Sequence, residues 1–157
     1  MKNIIVTGGC GFIGHHLVEH IIRNTDWNVI VIDKLSYSSK GLDRLRSANL
    51  INHKRIKVFT FDFTTKMTEG LKQEIGEVDY IAHLGAESHV DNSISNPRGC
   101  FKDNIFGTIE LLEYARSLKS LKLFFYFSTD EVFGPALNGI SFKEWDRHNP
   151  TNPYSAS

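Results

Sequence analysis

Short apolar runs alternate along this chain with longer stretches in which apolar residues return at helical spacing. Asn3–Thr7, Asn28–Ile32, Arg55–Thr60, Val78–Leu84 and Leu121–Phe127 read as buried strands. Gly11–Arg23 predicts a helix with Phe12, Ile13, Leu17 and Ile21 on its apolar side, and Asp103–Leu118 a second with Ile105, Ile109, Leu112 and Ala115 inward. The polar stretch after Leu84, which contains Asn96-Pro97, reads as loop. So does the region beyond Phe127, with Gly134-Pro135 and Asn149-Pro150.

Repeated βα units predict an α/β fold, a Rossmann-like doubly wound parallel sheet with helices on both faces. In the usual strand order 3-2-1-4-5-6 the fifth strand is an interior one. Its run Leu121-Lys122-Leu123-Phe124-Phe125-Tyr126-Phe127 is nearly continuous in apolar residues, as for a strand covered on both faces. No sixth strand follows, and a long apolar edge is an aggregation liability. The expectation is a sheet cut after about five strands, residues 1–157 forming an incomplete NAD(P)-binding domain with no second domain.

Composition changes little in this picture. The 157 residues are 41% hydrophobic and 23% charged, ordinary for a globular chain of one domain. Eighteen basic and eighteen acidic side chains cancel, so neither nucleic acid nor an anionic membrane is an expected partner. Cys10 and Cys100 make no disulfide framework, no signal-peptide layout opens the chain, and no apolar run is long enough for a bilayer. A cytoplasmic protein with reduced thiols is expected.

The chemistry begins at Thr7-Gly8-Gly9-Cys10-Gly11-Phe12-Ile13-Gly14, between the first strand and the first helix. Glycines at this spacing allow a tight turn, close backbone approach to a pyrophosphate and close helix–strand packing. The free amides of the helix start then face the phosphates. Asp33 ends the second strand nineteen residues after Gly14, where an acid accepts from the ribose hydroxyls and disfavours a 2′-phosphate. NAD is therefore expected over NADP, with Lys34 beside it softening that preference. An Asp after a strand also serves as a plain turn residue, and Asp62, after the third strand, divides evenly between a turn and the adenine edge. His15 and His16 could approach the phosphates but read more simply as exposed helix-face residues. Cys10 reads as a small loop residue and Cys100 as a buried or half-buried thiol.

Three further stretches carry a family resemblance: His83-Leu84-Gly85-Ala86-Glu87-Ser88-His89-Val90-Asp91-Asn92-Ser93-Ile94, Phe127-Ser128-Thr129-Asp130-Glu131-Val132-Phe133-Gly134, and Asn152-Pro153-Tyr154-Ser155-Ala156-Ser157. With the glycine loop and Val31-Ile32-Asp33-Lys34-Leu35-Ser36-Tyr37, they resemble the extended short-chain dehydrogenase/reductases. Within the NAD-dependent epimerase/dehydratase group the likeness is to the dTDP-glucose 4,6-dehydratase family, across essentially the whole chain. The resemblance implies an NAD cofactor on Gly8, Gly11, Phe12, Ile13, Gly14, Asp33, Lys34, Asp62, Phe63, Leu84 and Ala86. It implies a nucleotide sugar, dTDP-glucose or UDP-glucose, near Ser88, His89, Asn104 and Thr129. A homodimer is implied for a full-length relative.

Removing water across C5 and C6 of a hexose needs a base for the C5 proton and an acid for the C6 hydroxyl. Adjacent carboxyls can supply both if their environments separate their pKa values. The resemblance casts Asp130 as that acid, Glu131 as that base, Thr129 as the hydroxyl that orients the sugar, and Tyr154 as the base for O4. Related 4-epimerases usually carry small hydroxyl residues at the positions of Asp130 and Glu131. His83, Glu87, His89 and Asp91 match no strong metal spacing, and no metal is expected. Asn104 matches a family asparagine, although a helix cap also explains it. Gly85, Phe133 and Cys10 depart from the Ala, Tyr and Ala that are common in the family. A tyrosine with a reference pKa of about 10 needs a cation to act as a base near neutrality. The superfamily's lysine would fall on the position after Ser157, so the expectation is an N-terminal part, not competent alone.

Overall fold

The computed structural model describes residues 1–137 and 139–157. They form two compact units, one of Met1–Gly85 with Gly107–Phe127, the other of Ala86–Phe106 with Ser128–Ser157.

The first unit is the parallel sheet. Strands β1 (Asn3–Thr7), β2 (Asn28–Asp33), β3 (Ile56–Thr60), β4 (Tyr80–His83) and β5 (Leu123–Tyr126) lie in the order β3-β2-β1-β4-β5. All four pairings are parallel, with Thr7 opposite Ile32 on one side and His83 on the other. Strand alternation divides the core between the two faces. Ile4 and Val6 pack with Val18, Ile21, Ile22, Val29, Val31 and Leu45. Ile5 packs with Ile30, Ile32, Phe63, Val78, Ile81, Leu111 and Tyr114 in a second cluster.

Helix α1 (Phe12–Asn24) follows β1. Its buried face is Gly14, Val18, Ile21 and Ile22, while Phe12 and Ile13 are 70% and 60% exposed at its start. The apolar stripe expected to begin at Phe12 therefore begins one turn later. Two short helices missed by periodicity, α2 (Asp43–Ser47) and α3 (Glu69–Ile75), precede β3 and β4. Thr68 caps α3, accepting from Leu71 N at 3.2 Å. At the opposite end of the sheet from the strand C-termini, Trp27 and Tyr80 stack at 4.7 Å, with the Lys2 ammonium over both rings.

In the second unit the stretch read as loop folds into α4 (Val90–Ser95) and α5 (Pro97–Phe101), followed by a π-helical turn at Lys102–Phe106. Pro97 sits in the first turn of α5, where its missing amide costs nothing, and Asn96 caps it through Gly99 N. Back in the first unit, α6 (Gly107–Ser117) takes up the rest of the predicted Asp103–Leu118 helix. Its buried residues are Gly107, Leu111, Tyr114 and Ala115, whereas Ile109 and Leu112 face outward. The second unit closes with a 3₁₀ turn at Asp130–Phe133 and α7 (Pro153–Ala156). None of the helices among the described residues is long and apolar enough to cross a membrane.

β5 lies at the edge of the sheet and is not covered on both faces: Leu123, Phe125 and Tyr126 are 53%, 48% and 46% exposed. Phe124 of this strand packs against the apolar core, and the Tyr126 ring lies against His83.

Candidate functional site

The glycine loop is built by close approach. Gly8 has φ +67°, in the region open to glycine, and a Cβ there would stand 2.9 Å from the Gly85 backbone. A Cβ on Gly14 would lie 2.1 Å from the Gly8 carbonyl oxygen, so the start of α1 can meet the loop only as glycine. The loop closes on itself through Gly11 N donating to Gly8 O at 2.9 Å. Gly11 is the N-cap of α1 and offers no side chain to the helix amides, and the first turn carries no acidic residue. Free amides and the positive end of the helix dipole are thus left for an anion.

Asp33 is buried beside this loop. Its Oδ2 accepts from Cys10 N at 3.0 Å and its Oδ1 from Leu35 N at 2.8 Å. A carboxylate has about four acceptor positions, so two remain for ribose hydroxyls. Cys10 is fully buried, and burial, with the Asp33 charge second, pushes its thiol up to about 12. It is packed core as much as loop. Lys34 follows, half-buried. Asp62 forms a turn, its Oδ1 accepting from Thr64 N and its carbonyl from Thr65 N. Phe63 is buried between two glycines: a Cβ on Gly85 would lie 2.5 Å from its ring, and one on Gly107 2.8 Å. That contact accounts for glycine at position 85, since the Phe63 ring fills the space of an alanine methyl.

β1 and β4 are neighbours at the point where the strand order reverses, and Thr7 and His83 are their last residues. Open α/β sheets place ligands outside the strand C-termini at such a point. The Thr7 hydroxyl oxygen accepts from Leu84 N at 3.2 Å and Gly85 N at 3.0 Å, and lies 2.6 Å from His83 Nδ1. His83 Nε2 is 3.0 Å from the Thr108 hydroxyl. Burial holds the imidazole well below its ordinary range, at about 4, so it is neutral near pH 7.

The second unit assembles most of the remaining candidates. Thr129 caps the 3₁₀ turn, its hydroxyl accepting from Glu131 N at 3.2 Å and facing Asp130 Oδ1 at 3.4 Å. Asp130 is exposed, whereas Glu131 is half-buried and its Oε2 accepts from Asn152 Nδ2 at 3.2 Å. Asn152 forms a capping box with Ser155, which begins α7. Tyr154, on α7, is half-buried, and its amide donates to Ser93 Oγ on α4 at 3.1 Å. Asn104 is not a helix cap. It is buried, its Oδ1 accepts from Glu87 N at 2.8 Å, and its Nδ2 donates to Glu87 O at 2.9 Å and Ser157 Oγ at 2.7 Å. Ala86 and Ser88 lie exposed on the same segment, after half-buried Leu84, and His89 caps α4 through Asn92 N. No three His, Cys, Asp or Glu side chains gather as a metal site among the described residues.

Residues 5–157 match the model of the GDP-mannose 4,6 dehydratase family. The chain belongs to this family. It is 38% identical over 171 residues to dTDP-glucose 4,6-dehydratase of Escherichia coli, covering 98% of this chain and 46% of that one. Its fold superposes with TM-score 0.84 and 32% identity on dTDP-glucose 4,6-dehydratase of Streptomyces venezuelae, solved with NAD and TYD bound, covering 99% of this chain and 48% of that chain. A UDP-N-acetylglucosamine 4-epimerase from Methanobrevibacter ruminantium M1 aligns at TM-score 0.82 and 30% identity, covering 99% and 46%. The chain thus spans about half the length of the dehydratases and epimerases it matches.

Within this dehydratase family fold, four positioning residues had escaped the sequence reading: Thr7, Ser93, Thr108 and Asn152. Asn152-Pro153 carried a readable signal, a capping residue before proline. The hydroxyls of Thr7, Ser93 and Thr108 carried none, because what they bond is distant in sequence. Phe133, in the place of a common tyrosine, stacks on Phe142 at 5.3 Å with His148 edge-on.

Proposed function

We propose that a full-length protein carrying this chain is an NAD-dependent nucleotide-sugar 4,6-dehydratase, with dTDP-glucose as substrate and UDP-glucose as the alternative. The observation that carries this reading is the unequal seating of two adjacent carboxylates, Asp130 open to solvent and Glu131 tied to Asn152. Two adjacent carboxyls, one of them oriented by a hydrogen bond, are the groups an acid–base elimination needs.

The cofactor would rest on the amides of Phe12, Ile13 and Gly14, with Asp33 receiving the ribose hydroxyls. Bound there, NAD would supply a reversible hydride carrier, taking a hydride from C4 and returning it at C6. Tyr154 takes the O4 proton as the alcohol becomes a ketone, which makes the C5 hydrogen acidic. Glu131 removes that C5 proton, and Asp130 gives its proton to the C6 hydroxyl, which leaves as water. Thr129 orients the sugar, and Ser88, His89 and Asn104 line the segment that receives it. Residues 1–157 act in this reading as the cofactor-binding domain. The homodimer is inferred from the outward Ile109 and Leu112 of α6, and a cytoplasmic location from the two free thiols.

The test is incubation of the full-length protein with dTDP-glucose or UDP-glucose and mass analysis of the sugar. Loss of water to a 4-keto-6-deoxy product is expected, and no dehydrated product from either would refute the dehydratase. Glu131→Gln is expected to lower dehydration by at least about a hundredfold, the usual scale of a lost general base, and to stall at the 4-ketone. A 4-epimerase would keep its activity. Sedimentation of the same protein measures the dimer.

A further inference from the structure

The hydrogen bonds at the end of β1 and β4 leave one arrangement of protons. Thr7 Oγ1 has two acceptor positions and one hydrogen. The Leu84 and Gly85 amides take both acceptor positions. The hydroxyl hydrogen must therefore go to His83 Nδ1 at 2.6 Å. Nδ1 then bears the lone pair, Nε2 bears the proton, and Nε2–H donates to Thr108 Oγ1 at 3.0 Å. The imidazole is 2% exposed and enclosed by the rings of Phe63, Phe124 and Tyr126.

We propose that His83 is a positioning residue for the dinucleotide: as the Nε2–H tautomer it aims the Thr7 hydroxyl so that the oxygen beneath it grips the Leu84 and Gly85 amides. Gly8 packs against the backbone so held, with the space of its missing Cβ 2.9 Å from Gly85 Cα. His83 thus sets the floor on which the glycine loop stands, at the sheet position where such folds take their ligand. It acts through the Thr7 hydroxyl. Reversing the tautomer would face the Thr7 hydroxyl hydrogen with another donor and release one of the two amides. This role rests on the dinucleotide reading of the loop, while the tautomer and the held amides do not.

Three measurements on the 157-residue chain decide it. Imidazole nitrogen-15 shifts are expected to report an unprotonated Nδ1 and a protonated Nε2 for His83 at neutral pH; the reverse pattern would overturn the proposal. Amide exchange at Leu84 and Gly85 should accelerate in His83→Leu and return toward wild type in His83→Asn, whose side-chain oxygen can accept from Thr7. NAD titration should show affinity about tenfold weaker in the leucine variant, the scale of a lost buried hydrogen bond, with partial recovery in the asparagine variant. A leucine variant with wild-type exchange and wild-type NAD affinity sinks the idea. If His83→Leu does not fold, the tautomer and the asparagine variant still decide. If wild type itself binds no NAD, the dinucleotide reading falls, and the shifts and exchange rates alone judge the grip on the two amides.

Discussion

An imidazole enclosed by aromatic rings titrates far from its solution value, and His83 converts that into a dependence of stability on pH. Burial holds its folded pKa at about 4, below the ordinary value of 6.5. Above pH 6.5 both states are neutral and nothing is lost. Between those values the unfolded chain takes a proton that the folded chain refuses, so stability falls as pH falls. Below the folded value the loss is complete, on the order of 3 kcal/mol. Denaturant unfolding at stepped pH should show this slope in wild type and its absence in His83→Asn. The residue was visible in the sequence, but only as a weak metal candidate. A histidine's environment is a tertiary property: the groups that decide its role come from β1, α6 and the Phe63 turn. Cys10 makes the same point, since its place in a glycine loop gave no sign of complete burial.

Element by element, the sequence was most readable where one local rule applied. The glycine loop joined a strand to a helix, and both formed within a residue or so of their expected bounds. Gly14 shows how strict that junction is, because a methyl there would strike the Gly8 carbonyl. Gly14→Ala is expected to destabilise the chain by about 1–3 kcal/mol, as overpacking does, and to weaken NAD binding further. Thermal unfolding and NAD titration of the variant would measure both, and an unchanged melting temperature would contradict the contact. Periodicity misjudged α6, whose apolar residues occupy more than one side: the sheet received Leu111, Tyr114 and Ala115 and left Ile109 and Leu112 outside. The short helices α2, α4, α5 and α7 have four to six residues each, too few for a period to register.

On the scale of the whole molecule, the sheet ends on a strand whose outward side chains are large and apolar. Among the described residues, Leu123, Phe125 and Tyr126 are exposed along an edge paired only with β4. Open apolar edges promote association. Light scattering per unit mass of the 157-residue chain should therefore rise with concentration, and Phe125→Lys should reduce it without lowering the melting temperature, because Phe125 lies outside the core that Phe124 joins. Equal scattering by the two proteins would show that the edge is harmless. By itself the sequence determined the βα alternation, the glycine turn, the strand-end acid Asp33 and the adjacent pair Asp130-Glu131, because each depends on neighbours along the chain. Tertiary structure alone decided which stripe of α6 was buried, that Phe63 leaves room only for glycine at position 85, that Glu131 is held by Asn152 while Asp130 is exposed, and that Thr7 and His83 meet at 2.6 Å. Those outcomes depend on side chains brought together from distant positions, and no local periodicity or spacing encodes them.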